Sequence, residues 1–331
     1  MTREYRNSRL LSRGLGSEFD AFSCDSEDEW RELRRRGIGG SDVAPIMGIS
    51  PFRTALDVWL EKTGRMDPPD LSDSEPVYWG TVNESNVAAR FARDHPELSV
   101  QSVRATLVSR ERPFMHANLD RVAFDADGTP SVLEIKTASA WKADEWESCV
   151  PLYYQTQVME YLAVTGWPRA YVAVLIGGND YREYEIGRDN GDIDAVRSAC
   201  GDFWANYVEA DVMPQVVGSD SGVLADLYGV MSEELATPDD MGAADDLVAA
   251  YQSATKRERD ARDARADAAA RLMALIGDSK GLLTDTSVVT WSRGPSTRLD
   301  TKRLRDEMPE VYERYQREFT RNGGLRIREA M

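Results

Sequence analysis

Apolar and polar positions change period several times along the chain, and each change marks an element. Residues 1–24 carry no sustained period and read as a disordered tail. "DSEDEWRELRRRG" then predicts a short helix, capped by Asp25 or Ser26, with acids in its first turn and arginines in its last, as the helix dipole favours. "SPFRTALDVWLEKTGR" predicts a second, with Ser50 as cap, Pro51 opening it, Leu56, Trp59 and Leu60 as apolar face and Gly64 as stop. "WGTVNESNVAARFARD" is a third. Three alternating runs follow, "VQSVRATLVSR", "FMHANLDRVAFD" and "SVLEIKTA", the last two joined at Ala126–Pro130 as a hairpin. "PLYYQTQVMEYLAVTG" is helical between Pro151 and Gly166, and "AYVAVLIGG" and "YREYEI" are two further strands. From about residue 220 an acidic linker leads into a long helix, "DDLVAAYQSATKRERDARDARADAAARLMALIG", apolar only at its ends. A strand or hairpin, "LLTDTSVVTWSR", and a helical segment broken at Pro309 complete the chain. This order predicts an α/β (α+β) core over residues 25–219, a central mixed sheet flanked by helices, and a C-terminal helical extension over 220–331.

Composition narrows the class of protein. Of 331 residues, 42% are hydrophobic and 29% charged, as in an ordinary globular chain. No run approaches the ~20 apolar residues of a membrane helix, and "MTREYRNSRLLSRGLG" lacks the apolar core of a signal peptide, so a cytoplasmic location without membrane partners is expected. Cys24, Cys149 and Cys200 are too far apart for a zinc or iron-sulfur motif and read as reduced thiols. A net charge of −17 argues against a general nucleic-acid coat, yet residues 31–36 hold four arginines, so a local basic site on an acidic protein is expected.

The candidate chemistry lies in the strands. Glu134 and Lys136 flank Ile135, so alternation sends both charged side chains to one face and Leu133 and Ile135 to the other. A two-residue turn at Asp127-Gly128 pairs Asp120 with Ile135, on the wrong face. A loop of three or five residues pairs it with Glu134 or Lys136, so an odd loop or a bulge is expected. Glu84 falls in helical phase with Val87, Ala88 and Phe91, which turns a carboxylate inward. Hard oxygen donors without histidine or cysteine suit Mg2+ or Mn2+. A metal held by Asp120, Glu134 and the Ile135 carbonyl, with Lys136 beside it, fits phosphodiester hydrolysis. Each piece taken singly also fits a plainer role: an E-x-K on a strand edge as a solvated face, Glu84 as a core hydrogen-bond acceptor, Gln157 as a surface amide. His95 and His116 read as structural.

Taken in order, "RRRGIGGSDVAPIMGISPFRTALDVWLEKTGR", "WGTVNESNVAARF", "HANLDRV", "LEIKT" and "YYQTQVMEYLAVTG" resemble the successive blocks of the YqaJ-type viral recombinases, the lambda-type phage exonucleases, over about residues 30–175. The resemblance implies a restriction-endonuclease-like PD-(D/E)xK core. It further implies metal ligands at Glu84, Asp120, Glu134 and the Ile135 carbonyl, a catalytic Lys136, and an active-site glutamine at Gln157. Met159 stands where many relatives have a second glutamine, which leaves Gln155 and Gln157 open, with Gln157 favoured. The glycine-serine block then reads as a site for a terminal 5′-phosphate, with Ser41 as helix N-cap beside Arg34, and Arg35 and Arg36 in reserve; without the resemblance it reads as a capped turn. The implied activity is Mg2+-dependent 5′-to-3′ exonuclease action on double-stranded DNA ends. Implied partners are a single-strand annealing recombinase and further copies in a ring. An endonuclease, a repair nuclease of the same superfamily (whose four-cysteine cluster is missing here) and a non-catalytic DNA-end-binding protein are the alternatives.

Overall fold

The computed structural model describes residues 3–4, 16–229, 234–292, 294–316 and 325–328. The chain divides into two compact units, Met1–Leu227 and Tyr228–Met331. The first begins with β1 (Arg3–Glu4), β2 (Phe19–Ser23), α1 (Glu27–Arg35), β3 (Ile38–Gly39), α2 (Gly40–Ile46), α3 (Ala55–Lys62) and α4 (Glu75–Asp94). It continues through β4 (Ser99–Ser102), β5 (Thr106–Ser109), β6 (Met115–Ala117), β7 (Arg121–Phe124), β8 (Pro130–Ala138), α5 (Leu152–Thr165), β9 (Arg169–Ile176), β10 (Asp180–Gly187), α6 (Asn190–Phe203) and α7 (Ser221–Leu227). The second unit holds α8 (Met241–Ile276), the hairpin β11 (Gly281–Leu283) and β12 (Val288–Thr290), α9 (Thr301–Glu307) and α10 (Pro309–Arg314).

The strands of the first unit form two mixed five-stranded sheets where a single central one is expected: β10-β9-β8-β7-β4, parallel only at β8/β9, and β1-β2-β5-β6-β3, parallel only at β3/β6. Two runs that read as continuous strands are each cut and shared between the sheets. "VQSVRATLVSR" supplies β4 to one and β5 to the other, and "FMHANLDRVAFD" is likewise split into β6 and β7. The second break falls at Asn118-Leu119-Asp120, where side chains take over ladder bonding: Asn118 accepts from Thr106 Oγ1 at 2.7 Å, and Asp120 Oδ2 accepts the Ile135 amide at 2.8 Å.

The expected disordered tail is also corrected. Phe19–Ser23 is a strand on β5, and Phe19 is fully buried; residues 5–15 of that tail lie outside the described residues. Helix α3 starts later than expected, capped by Thr54 and not Ser50, because Thr54 and Asp57 exchange the two bonds of a capping box. α6 is a further helix beyond those the sequence pattern predicts, and Ile193, Val196, Cys200 and Phe203 bury one of its faces.

Two apolar clusters position the site. On one side of the β8 sheet, Leu133 and Ile135 pack with Val87, Ala88 and Phe91 of α4. On the other, Val132 joins the large core that contains Val158 and Leu162 of α5. Every residue of α5 from Thr156 to Thr165 is buried, so this helix is enclosed on all sides and its few polar groups must find partners inside the protein.

Candidate active site

β7 and β8 pair with Arg121 opposite Leu133 and Phe124 opposite Pro130, leaving a five-residue loop, Asp125–Thr129. This odd loop lets Asp120, one step before Arg121, fall opposite Glu134. Gly128 (φ 83°) supplies the left-handed residue of the turn. Glu84, Asp120, Glu134, Ile135, Lys136, Gln157 and Tyr161 line one cleft of about 370 Å3.

Glu134 sits at its centre, 2% exposed. Its Oε1 accepts from Lys136 Nζ at 2.6 Å and from Gln157 Nε2 at 2.7 Å, while its Oε2 is buried with no partner among the described residues. Lys136 also donates to Gln157 Oε1 at 3.2 Å, and its ammonium lies 4.6 Å from the Tyr154 ring centroid. Burial works against that ammonium, but the adjacent Glu134 outweighs it and holds the lysine protonated above its ordinary range. Burial and then the charge of Glu134 push the Asp120 carboxyl up to about 8, with Lys136 opposing. Of the two glutamines, Gln157 is the one in this cluster; Gln155 donates to the Val150 carbonyl at 2.5 Å.

Glu84 lines the same cleft but is not drawn into the cluster. It comes from α4, on the sheet face opposite α5, and its Oε1 pairs with Arg121 at 2.5 Å. Among the described residues no three acidic, histidine or cysteine side chains converge as a ready chelating group. The donor set still fits a divalent cation: Glu134 offers a buried oxygen with no partner among the described residues, and burial, followed by the charge of Glu134, raises the facing Asp120 carboxyl, a cost that a bound cation would relieve. Arg121 and Tyr161 were not singled out in the sequence; Arg121 faces Glu84 because it is in register with Leu133, on the α4 side.

The "RRRGIGGSD" block is built around Asp42, not Ser41. Gly39 is the N-cap of α2, Ser41 lies in the first turn, and the Asp42 carboxylate accepts the Gly39 amide at 3.0 Å. Asp42 is wholly buried and meets Lys62 at 2.7 Å, Arg34 at 2.9 Å and Arg53 at 3.2 Å. Glu61 takes a second bond from Arg34 and one from Arg53, both 2.7 Å. The network thus has three cations and two anions, and Arg34 also donates to exposed Ser41 Oγ at 3.3 Å. Arg35 and Arg36 turn away, to Asp67 and Glu32. Arg53, Glu61 and Lys62 escaped sequence reading: they look like the polar side of an amphipathic helix, whereas α3 is buried from Val58 to Lys62.

Gly40 joins the two clusters. A β-carbon there would lie 2.7 Å from Tyr161 Cε1 and 2.9 Å from Gln157 Cγ, so only glycine lets α2 approach α5 this closely. Burial drives the carboxyl of Glu160, also on α5, well above its ordinary range, and neither oxygen has a partner among the described residues. Both histidines have structural contacts: His116 bonds the Pro113 carbonyl under Gly37, and His95 bonds Glu183 and Glu97.

An acid pair, a lysine and an amide thus meet at the rim of a mixed sheet, with Glu134 and Lys136 in alternating register as E-x-K. Residues 29–168 match the YqaJ-like viral recombinase domain. The uncharacterized protein YqaJ of Bacillus subtilis (strain 168) is 34% identical over 303 residues, covering 88% of this chain and 92% of that protein. The chain belongs to the YqaJ-like viral recombinase family, nucleases of the phage-exonuclease type that act on DNA with divalent metal. Among solved structures, the alkaline exonuclease LHK-Exo of Laribacter hongkongensis aligns with a TM-score of 0.47 at 19% identity, over 56% of this chain and 93% of that one. A phage-related exonuclease of Haemophilus somnus 129PT aligns at 0.38 and 13%, over 55% and 99%. No helix among the described residues is long and apolar enough to cross a membrane.

Proposed function

We propose that the protein is a Mg2+-dependent exonuclease that enters double-stranded DNA at an end and removes one strand from its 5′ terminus. The 3′ single strand it leaves would serve an annealing recombinase in the cytoplasm of a bacterial host, with further copies of the chain completing a ring. The observation that carries this reading is the buried Glu134, bonded on one oxygen by Lys136 and Gln157, without a partner on the other among the described residues, and opposite Asp120. Asp120, Glu134 and the Ile135 carbonyl would hold the metal, with Glu84 joining on release from Arg121. Mg2+, or Mn2+ in its place, supplies Lewis acidity at the phosphate and an acidified water. Lys136, kept protonated, meets negative charge growing on the phosphate, and Gln157 fixes the orientation of both Glu134 and Lys136.

The surplus cation of the Arg34, Arg53 and Lys62 network, with Ser41 exposed at its edge, supports recognition of a terminal 5′-phosphate by Arg34 and Ser41. Arg35 and Arg36, engaged elsewhere, leave this proposal. End-labelled linear DNA and closed circular DNA, each with and without Mg2+, form the test. Metal-dependent loss of label from linear DNA alone is expected; cutting of circles makes the protein an endonuclease, and binding without degradation makes it a silent end-binder. Arg34→Ala or Ser41→Ala should erode the preference for 5′-phosphorylated over 5′-hydroxyl ends, by about 1.5–3 kcal/mol for a bond to a charged group. An unchanged ratio of rates in both variants refutes the phosphate assignment.

A further inference from the structure

The 36-residue α8 carries a continuous seam that is exposed among the described residues. From Ala244 to Leu275 its seam positions recur at alternating spacings of three and four, the repeat by which two helices wrap into a left-handed coiled coil. Large apolar residues close both ends, Leu247 (73% exposed) and Tyr251 at one, Leu272 and Leu275 (70% exposed) at the other. Ala254, Ala261 and Ala268 alternate in the middle with Glu258 and Arg265, all exposed. Neither Glu258 nor Arg265 forms an ion pair among the described residues.

We propose that α8 pairs with α8 of a second copy of the chain as an antiparallel two-stranded coiled coil. Charge decides the direction. Side by side in parallel, Glu258 would face its own copy, Arg265 likewise, and Arg257 would meet Arg262 across the flank, four repulsive contacts in all. Antiparallel, each disappears, and Glu258 comes within one turn of the partner's Arg265. Volume agrees with charge. The antiparallel register that overlaps the helices almost end to end sets Tyr251 level with Ala268, Glu258 with Ala261, Arg265 with Ala254 and Ala244 with Leu275, a large residue against a small one each time. Leu247 meets Leu272. The two macrodipoles then oppose, which is favourable, and the buried Glu258 and Arg265 fix register more than they add strength. This inference is independent of the nuclease reading.

Sedimentation equilibrium and oxidative cross-linking of the full chain test it. Glu258→Arg or Arg265→Glu alone should halve the mass of the assembly, and the double exchange should restore it, because opposite charges again face each other. In a parallel pair the double exchange would restore nothing. With exposed Cys149 and half-buried Cys24 replaced by Ser, Leu247→Cys and Leu272→Cys chains should form a disulfide with each other when mixed and neither with itself, since like positions are then ~37 Å apart at 1.5 Å per residue. Circular dichroism of each variant checks that the fold is retained. Self-linked chains, no links, or a mass indifferent to both single exchanges would overturn the proposal.

Discussion

Replacing Asp42 by Asn leaves shape almost unchanged and removes the anion on which three buried or half-buried cations converge. The carboxylate is 0% exposed and accepts from Lys62, Arg34 and Arg53 at 2.7, 2.9 and 3.2 Å. Losing it turns a set of three cations and two anions into three against one, and the new amide NH2 group can only present a donor to donors. Removing one partner from a buried pair costs about 3–5 kcal/mol. For a unit of this size, with ~2–4 °C per kcal/mol, the melting temperature should fall by roughly 6–20 °C. The pH dependence gives a second signature. Burial opposes ionisation of Asp42, but Arg34, Lys62 and Arg53 outweigh it and hold the carboxyl well below the usual carboxylate range. A depressed folded pKa contributes stability that is present above the unfolded value of about 4 and is lost as pH falls through the folded one. The gap between wild type and Asp42→Asn should therefore be flat from about pH 5 upward and close only in acid. Urea titrations across that range measure it; a difference under ~1 kcal/mol at neutral pH, or a gap that widens in acid, would refute the account.

Lys136→Ala and Glu134→Gln should each abolish cleavage with the circular dichroism spectrum unchanged, and near wild-type turnover by either would remove the assigned chemistry. Gly40→Ala should cost about 1–3 kcal/mol by forcing a β-carbon against Tyr161 and Gln157, and should slow turnover by displacing Gln157; thermal melts and a rate assay read the two effects. Since the metal-free Asp120 carboxyl is pushed up to about 8, a cation must displace its proton at lower pH. The Mg2+ concentration for half-activation should fall about tenfold per pH unit up to about pH 8 and then level, and a requirement constant from about pH 6 to 8 would contradict this. The sign for stability is the reverse of that for Asp42: the raised Asp120 value favours the metal-free fold most below the unfolded pKa, and that advantage is lost as pH rises through about 8.

Local patterns in this chain predicted elements better than they predicted partners. Alternation placed Glu134 and Lys136 on one face and Leu133 and Ile135 on the other because a half-buried strand has a period of two whatever lies beside it. The same pattern says nothing about which sheet a strand joins, so the cuts at 103–105 and 118–120 were invisible until the ladders were known. Helical phase turned Glu84 inward, as found, but could not show that Arg121 would meet it there. Asp42, Glu61 and Lys62 illustrate the other limit: a charged residue announces burial only when its helix is surrounded, and that is a property of the neighbours.

The odd loop between β7 and β8 has a consequence for how this region can change over generations. A residue added to or taken from Asp125–Thr129 changes the length of the loop and leaves the ladder as it is, because the buried faces of β7 and β8 hold the register. A single insertion or deletion between Asp120 and Phe124, or between Pro130 and Glu134, instead carries one carboxylate across to the α4 side of the sheet unless a bulge absorbs it. Working descendants of this gene should therefore vary in the length of the loop and keep both of those strand spacings, a rule imposed by the pleat of a strand on the drift of the genome that encodes it.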